Sequence, residues 1–339
     1  MITITPFERA RPGHADARAA LHTLRDLLRF AVSRFEGAGL AYGHGTDNGR
    51  DEAAWLLLWS LHLPPDELDE WLDCRLTAPE IDAALALIER RCSERVPAAW
   101  LTGEAWLRGL RFRSDPRALV PRSLIAEALD ESLGDELVDW LRDWLPEWLA
   151  TPPAPGATAG DAPGWPARVL DLCTGGGSLA VFAALRFPQA EVIASDVDEA
   201  ALALAAENLE LHGLGDRVEL VRGDLFEALP DESFDLILRN PPYVNDAAMA
   251  ALPPEFRAEP RIALAGGADG MDFVRRLLDE APEHLGGTGV LLLEIGHEAD
   301  HFEAAFPGLD FAWLPVTAGD RMIALITRQA LDERFASRK

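Results

Sequence analysis

Lysine is nearly absent from this chain. Lys339 is the only lysine among 339 residues, and the formal net charge is −26 at pH 7. Proteins that bind nucleic acid generally carry a basic patch, whereas a strongly acidic chain repels phosphate. The charge therefore argues against a nucleic-acid binder and favours a basic macromolecular partner, although acidity of this kind also serves solubility alone.

Cysteine is scarce as well, and long apolar runs are missing. Cys74, Cys92 and Cys173 are odd in number and far apart, which argues against a disulfide framework and a cysteine-based zinc site. No apolar stretch approaches the roughly 20 residues that a membrane helix needs. The segment from Met1 to His14 is polar and lacks the apolar core of a signal peptide. We therefore expect a cytoplasmic protein with no metal site and no membrane partner.

The length and the hydrophobic content of 48% suit about two packed domains. Apolar residues at helical spacing predict an N-terminal helical domain over residues 1–95. Alternating apolar residues predict a β-hairpin connector over 96–125. Residues 126–166 are predicted to form an amphipathic helix followed by a flexible insertion rich in Pro, Gly and Ala. Strand–helix alternation over 167–330 predicts an α/β domain with a parallel sheet.

A glycine-rich loop follows the first strand of this α/β domain. The run from Arg168 to Leu172 is mostly apolar, and the loop that follows leads into an apolar helical stretch. Glycine lets a ligand approach the backbone closely, and a helix start offers unpaired N–H groups. The spacing is not G-x-G-x-x-G, which argues against NAD. The candidate binding residues here are Asp171, Cys173, Thr174, Gly175 and Gly177.

Acidic residues also follow the next two predicted strands. Asp196 ends the strand that begins at Glu191, where an acid would grip a ribose diol. Asp224 and Leu225 follow the third strand, and there an acid could face an adenine edge. Ligands of open α/β sheets bind at the carboxyl ends of the strands. The pattern therefore predicts a nucleoside site at this edge.

The fourth strand runs into the tetrapeptide Asn240, Pro241, Pro242 and Tyr243. Two prolines donate no backbone hydrogen bonds, so the sheet must stop there, and their carbonyls remain stiff acceptors. The asparagine adds a side-chain acceptor and the tyrosine adds a flat face. Such a cup suits a planar group that carries an NH2, which predicts methylation of an amino or amide nitrogen.

Taken together, these residues resemble the HemK/PrmB family of protein-glutamine N5-methyltransferases. Further similarities lie outside the tetrapeptide, in the segments Arg95–Thr102, Leu119–Ser123, Phe256–Pro260 and Gly267–Gly270. The resemblance implies a class I fold, with a Rossmann-like seven-stranded sheet, and S-adenosylmethionine as the methyl donor. It also implies that residues 1–95 recognise the substrate and that residues 167–330 form the catalytic domain.

The N-terminal segments Leu21–Phe30 and Tyr42–Asn48 are similar to the PrmB branch. This branch methylates a glutamine of the third large-subunit ribosomal protein, a protein of basic character. The alternatives are glutamine methylation of peptide release factors, as in the HemK (PrmC) branch, methylation of a nucleic-acid amino group, or an adaptor that has kept only the fold. The chain departs from the family pattern at Arg239, where a small polar residue is usual. Arg122 could reach the active site or cap a helix.

The predicted chemistry depends on geometry instead of on a strong base. An amide nitrogen is a poor nucleophile because its lone pair is delocalised into the carbonyl. We expect the Asn240 side chain and the Pro241 carbonyl to accept hydrogen bonds from the glutamine NH2. Tyr243 is expected to pack on the substrate amide. Asp196 is expected to hold the cofactor.

Overall fold

The computed structural model describes residues 14–130 and 166–337. Almost all of the predicted helix and insertion over 126–166 lies outside these ranges, as does the segment before His14. The described residues divide into two compact units, one ending at Thr102 and the other beginning at Gly103. Within these ranges, no helix is both long and apolar enough to cross a membrane, and no cluster of side chains suits a metal ion.

The first unit consists of six helices in its described part, in agreement with the predicted helical character. They are α1 (His14–Ala20), α2 (Leu24–Ala38), α3 (Gly49–Ser60), α4 (Leu68–Trp71), α5 (Ala78–Glu94) and α6 (Ala98–Thr102). The sequence prediction placed the first boundary after residue 95. The compact unit extends further because Ala98 and Leu101 of α6 are buried in the same apolar core as α2, α3 and α5.

Local signals in the sequence explain where these helices begin. Thr77 and Glu80 form a reciprocal capping box at the start of α5, and Thr23 and Asp26 do the same for α2. Asn48 caps α3 by accepting hydrogen bonds from two backbone N–H groups. Each such cap satisfies backbone donors that a helix leaves unpaired at its N-terminus.

The second unit contains a β-hairpin and a seven-stranded sheet. The hairpin pairs β1 (Glu104–Leu107) with β2 (Leu110–Arg113) and is followed by α7 (Ile125–Leu129). The sheet has the order β5-β4-β3-β6-β7-β9-β8. Its strands are β3 (Arg168–Leu172), β4 (Glu191–Asp196), β5 (Val218–Arg222), β6 (Phe234–Arg239), β7 (Leu285–Glu294), β8 (Ala312–Val316) and β9 (Gly319–Thr327).

Six strands of the sheet run in the same direction, and only β9 runs antiparallel to them. Strands β3 to β7 run parallel to one another, β9 runs antiparallel to β7, and β8 closes the edge as a hairpin with β9. The predicted seven-stranded α/β fold is confirmed. Successive residues of a strand point to opposite faces, so Leu236 and Leu238 enter one core while Ile237 enters the other.

The helices of the second unit connect these strands. They are α8 (Ser178–Arg186), α9 (Glu199–Leu211), α10 (Asp246–Ala251), α11 (Pro254–Arg257), α12 (Asp272–His284), α13 (Ala299–Ala305) and α14 (Arg328–Ser337). Strands covered on both faces read as continuous apolar runs instead of alternating ones. This is why the apolar pattern predicted the bounds of β3 and β4 as they are observed.

One buried amide joins the hairpin to the glycine-rich loop. The Asn208 side chain on α9 accepts a hydrogen bond from the Arg113 backbone N–H (2.7 Å) and donates to the Arg113 carbonyl (3.2 Å). It also donates to the Gly176 carbonyl (2.8 Å). Asn208 is completely buried, so these bonds satisfy polar groups that water cannot reach.

The same helix approaches the loop closely at Gly177. This residue has φ +81° and precedes α8, and a Cβ built on it would lie 3.0 Å from the Cβ of Ala205. Gly213, just after α9, has a similar φ of +68° but has no atom within 4 Å of a built Cβ. An alanine at either position would be strained, but only an alanine at Gly177 would also contact a neighbouring residue. Comparing the two substitutions therefore separates the cost of backbone strain from the cost of steric contact.

We predict that Gly177→Ala lowers the free energy of unfolding by roughly 2–4 kcal/mol, because a left-handed alanine is strained and its methyl group overpacks α9. Gly213→Ala, the matched control, should cost only about 1–2 kcal/mol from strain. Urea unfolding of both variants measures the difference. Equal losses would show that the contact with Ala205 is relaxed at no cost.

Candidate active site

A cavity of about 460 Å³ lies in the second unit at the carboxyl ends of the parallel strands. Most of the predicted site residues line it: Asp171, Cys173, Thr174, Gly175, Asp196, Asp224, Leu225, Asn240 and Pro242. Gly177, Pro241 and Tyr243 are not among the lining residues. The topology brings together residues that are up to about 70 positions apart in the sequence, because parallel strands end at one edge.

The acid at the end of β4 holds the glycine-rich loop that follows β3. Asp196 accepts hydrogen bonds from the backbone N–H of Gly175 (2.9 Å) and of Asp198 (2.9 Å), one on each carboxylate oxygen. The loop is further held by the Thr174 N–H, which donates to the Ser195 carbonyl (2.8 Å). Each carboxylate oxygen keeps a second lone pair, so Asp196 can still accept a ribose hydroxyl.

Asp171 is a buried carboxyl beneath this loop. Its Oδ2 accepts a hydrogen bond from the Thr174 hydroxyl (2.6 Å), and the residue is only 1% exposed. Burial raises the pKa of Asp171 to about 6, against the opposing effects of Thr174 and Arg239. A buried carboxyl of this kind is a source of negative charge suited to a cationic ligand.

Two non-glycine residues at the strand ends adopt left-handed backbone conformations. Cys173 has φ +55° and Leu225 has φ +50°, and both line the cavity. Conformations of this kind are strained for L-residues and are concentrated at functional sites. Burial raises the pKa of the Cys173 thiol to about 11, so the thiol stays protonated at neutral pH.

The predicted adenine-facing acid has a protein partner. Arg276 Nη2 on α12 donates to Asp224 Oδ2 at 2.9 Å, and the Asp224 side chain is 41% exposed. Asp224 therefore lines the cavity while one of its carboxylate oxygens, Oδ2, is paired with Arg276. Its contact with an adenine ring stays a prediction.

The tetrapeptide presents its asparagine to the cavity and turns its tyrosine towards β7. The Asn240 side chain makes no hydrogen bond to any residue in the described ranges, which leaves its oxygen available to a ligand. The Tyr243 hydroxyl instead donates to Glu294 Oε1 at 3.4 Å. A Cβ at Gly296 would lie 2.7 Å from the Tyr243 ring, so the glycine leaves room for this orientation.

Two buried glutamates position the segment that contains Arg122. Arg122 donates to both carboxylate oxygens of Glu259 (2.6 and 2.7 Å), and the Val120 N–H donates to the same group (3.1 Å). The Ser123 hydroxyl and the Leu124 N–H donate to Glu294 Oε2, at 2.6 and 2.9 Å. Arg122 was expected either to reach the active site or to cap a helix. The structure agrees with the first alternative, because Arg122 lines the cavity.

The Glu294 carboxylate is itself perturbed by its surroundings. Burial raises the pKa of Glu294, although the hydrogen bonds from Ser123 and Leu124 act against this shift. The pKa of the Tyr243 hydroxyl is also raised, first by burial and then by the charge of Glu294. Tyr243 therefore stays a neutral donor at any physiological pH.

Some lining residues were not identified from the sequence. Phe273, Arg276 and Ile262 lie in segments with no motif that would mark them, and Arg239 was noticed only as a departure from a family pattern. Ile262 is 62% exposed at the cavity. A signal was available for the lining residues of Leu119–Ser123 and for Pro260, because these lie in segments that resemble the family.

The comparisons with known proteins agree with this geometry. The family models described as "Methyltransferase small domain" and "PrmC N-terminal domain" match residues 165–267 and 26–103. The protein named ribosomal protein uL3 glutamine methyltransferase in Bordetella pertussis is 54% identical over 93% of this chain and 98% of its own length. Its namesake in Burkholderia pseudomallei is 50% identical over 90% and 94%.

Solved structures are more distant. A methyltransferase from Pyrococcus furiosus is 20% identical and covers 65% of this chain and 89% of its own, with a TM-score of 0.41.

The sheet order and the cavity at the strand ends, together with the family match, define a class I S-adenosylmethionine-dependent methyltransferase. The identity over nearly the full length shows that the chain belongs to the family of ribosomal protein uL3 glutamine methyltransferases.

The residues around the cavity fit S-adenosylmethionine. The ligand combines a nucleoside with a cationic sulfonium and an amino-acid group. The buried carboxyls of Asp171 and Asp196 suit its hydroxyl and cationic groups, and apolar side chains such as Leu179 and Phe273 suit its flat base. The cavity volume is within the range of small-molecule sites.

We predict that Asp171 makes stability depend on pH. Its folded pKa of about 6 lies above the ordinary value of 3.8, so between pH 5 and 7 the folded state binds more protons than the unfolded state. Stability should therefore fall by roughly 1 kcal/mol as the pH rises through this window. Asp171→Asn should remove this part of the decline in urea unfolding.

Asp269→Asn is the control for this measurement. The hydrogen bond from Arg275 lowers the pKa of Asp269, so this group is ionised in both states above pH 5 and should leave the slope unchanged. An Asp171→Asn slope equal to that of wild type would contradict the assignment.

Proposed function

We propose that this protein transfers a methyl group from S-adenosylmethionine to the side-chain amide nitrogen of a glutamine in the large-subunit ribosomal protein uL3. The observation that carries the proposal is identity of 44–54% to curated relatives with that name, over nearly their whole length. Most of the residues that were predicted to bind the cofactor also line the cavity at the ends of the strands, which supports the proposal.

Asn240 is proposed to hold the substrate amide. S-adenosylmethionine supplies an electrophilic methyl group on a sulfonium sulfur, and the protein has to aim a poor nucleophile at it. The Asn240 side-chain oxygen lies at the cavity without a partner among the described residues and can accept one N–H of the glutamine. The Pro241 carbonyl is proposed to accept the other, and the displaced proton leaves to water. Positioning alone can contribute up to roughly 7–11 kcal/mol to catalysis in well-oriented cases.

Tyr243 is proposed to form one wall of the substrate cup. Its hydroxyl is held by Glu294 and its ring edge lies against Gly296, so the ring has little freedom. A fixed ring can pack on a planar amide without losing further side-chain entropy when the substrate binds.

The partner of this enzyme is proposed to be a basic protein in the cytoplasm. A net charge of −26 favours a basic substrate and disfavours direct binding of nucleic acid. The three cysteines are free thiols, which is compatible with a reducing compartment. No membrane contact is included in the proposal.

The helical unit that ends at Thr102 is proposed to recognise the substrate protein. Its loop from Tyr42 to Asn48 is partly exposed, but Asn48 is the N-cap of α3 and is therefore unsuitable as a probe. Asp47 is exposed and caps nothing. We predict that Asp47→Ala raises the KM for the protein substrate at least about two-fold, as expected for a lost rim charge, without changing the affinity for S-adenosylhomocysteine. An unchanged KM would remove Asp47 from the recognition surface.

Methyl transfer from radiolabelled S-adenosylmethionine tests the function. Purified uL3, a peptide release factor and ribosomal RNA are offered separately, and the modified residue in any labelled product is found by mass spectrometry. Label on a glutamine of uL3 is the expected result. Labelling of the release factor alone would favour the other branch, whose name one matching family model carries. Labelling of RNA alone would overturn protein methylation.

We predict that Asn240→Ala abolishes transfer to uL3, because the amide nitrogen is no longer held, while the affinity for S-adenosylhomocysteine stays within a few-fold. Calorimetry and the transfer assay give the two quantities. Asn245→Ala is the matched control: Asn245 caps α10 and does not line the cavity. That variant should lose roughly 1 kcal/mol of stability and keep its activity. Near-normal turnover by Asn240→Ala would refute the role of Asn240.

A further inference from the structure

Four arginines line the cavity, and three of them are paired with carboxylates. Arg117 is paired with Asp115 and Glu207, Arg122 with Glu259, and Arg276 with Asp224. Within the described ranges, Arg239 has no carboxylate within 4.0 Å of its guanidinium. In a chain with 57 acidic residues, an arginine left without a carboxylate at this cavity is unexpected.

No carboxylate of the described residues contacts the Arg239 guanidinium directly, although the charges of Asp171 and Asp196 act on it from a longer distance. The residue is only 1% exposed, and its guanidinium lies over the Phe273 ring, 4.2 Å from the centroid. Nη1 donates to the carbonyls of Leu172 (2.9 Å), Cys173 (3.4 Å) and Asn240 (2.8 Å). These contacts orient the side chain, but they contribute only partial charges.

Part of the guanidinium is left without hydrogen bonds. Nε is buried and has no partner among the described residues, and Nη2 makes no hydrogen bond there either. Burial lowers the pKa of Arg239, although Cys173, Asp196 and Asp171 act against the shift. An arginine remains charged in a folded protein even so, and a buried charge without a hydrogen-bonded counter-ion is costly. An anionic group supplied by a ligand would reduce this cost.

We propose that Arg239 binds the carboxylate of the methionine portion of S-adenosylmethionine and so fixes that end of the cofactor. The inference rests on the proposed function, since it assigns one residue to its methyl donor. It follows from position, because Arg239 lines the cofactor cavity and its Nη1 contacts the carbonyls at the ends of the neighbouring strands β3 and β6. The carboxylate is the anionic group of this ligand, and Nε and Nη2 are the donors that remain.

The test compares two ligands that differ in this carboxylate. S-adenosylhomocysteine carries it, whereas S-adenosyl-3-thiopropylamine lacks it and keeps the ammonium and the nucleoside. Calorimetry with the full-length protein gives both Kd values without any turnover. Wild type should bind S-adenosylhomocysteine at least about ten-fold more tightly, since hydrogen bonds to charged groups typically have this strength.

Arg239→Gln should reduce this preference to about three-fold or less, because it keeps most of the side-chain volume and removes the charge. Arg239→Lys should retain part of the preference. Arg334→Gln is the matched control, since Arg334 is also buried and lies over a ring, that of Phe306, and is not among the residues that line the cavity. This variant should keep the full preference even where its thermal stability falls.

The outcomes separate the two proposals. If Arg239→Gln weakens both ligands equally, or leaves the preference unchanged, the role in carboxylate binding is wrong and Arg239 only supports the cavity. If the folded wild type binds both ligands equally well, the inference also fails, and that comparison needs no variant. If the wild type binds neither ligand, the proposed use of S-adenosylmethionine itself is overturned.

Discussion

Buried charge at the carboxyl edge of the sheet is the constraint on which the site depends. Asp171, Asp196, Arg239, Glu259 and Glu294 are each less than 9% exposed. A buried charge has to be paired or hydrogen-bonded, or the fold loses several kcal/mol. The groups that satisfy these charges are mostly loop N–H groups and hydroxyls, so the carboxylates determine the course of the loops around the cavity.

This arrangement suits a reaction that is promoted by positioning. The loop after β3 is held by Asp196, the segment before α7 by Glu259 and Glu294, and the tyrosine of the tetrapeptide by Glu294 as well. Each segment has at least one contact with a different element of the same unit. Rigid support of this kind keeps a substrate amide and a methyl donor aligned without movement of the protein at the moment of reaction.

The sequence predicted those parts of the site that depend on local patterns. Nine of the residues that the sequence predicted for the site line the cavity, because a parallel sheet brings the ends of its strands to one edge. Their roles stay predictions. The predicted boundary after residue 95 differs from the end of the compact unit at Thr102, because α6 is too short to show a helical period and only its packing assigns it to the first unit.

The contacts that the sequence did not predict are those between distant elements. No pattern relates Ser123 to Glu294, or Arg239 to Phe273, because these pairs meet only after the sheet has formed. Likewise, the sequence indicated that Tyr243 faces the substrate, but not that a glutamate on β7 would hold its hydroxyl. Asp196 was expected to bind a ligand, but the sequence did not predict that its carboxylate would also accept a hydrogen bond from the glycine-rich loop.

The state of Cys173 has a consequence for the enzyme's own integrity. A thiolate is a strong nucleophile, and Cys173 lines the cavity in which S-adenosylmethionine, an alkylating agent, is expected to bind. Because burial raises the pKa of this thiol to about 11, the sulfur is almost entirely protonated at pH 7. Burial thus protects the protein from self-alkylation, and any change that admitted water or a cation beside this sulfur would weaken that protection.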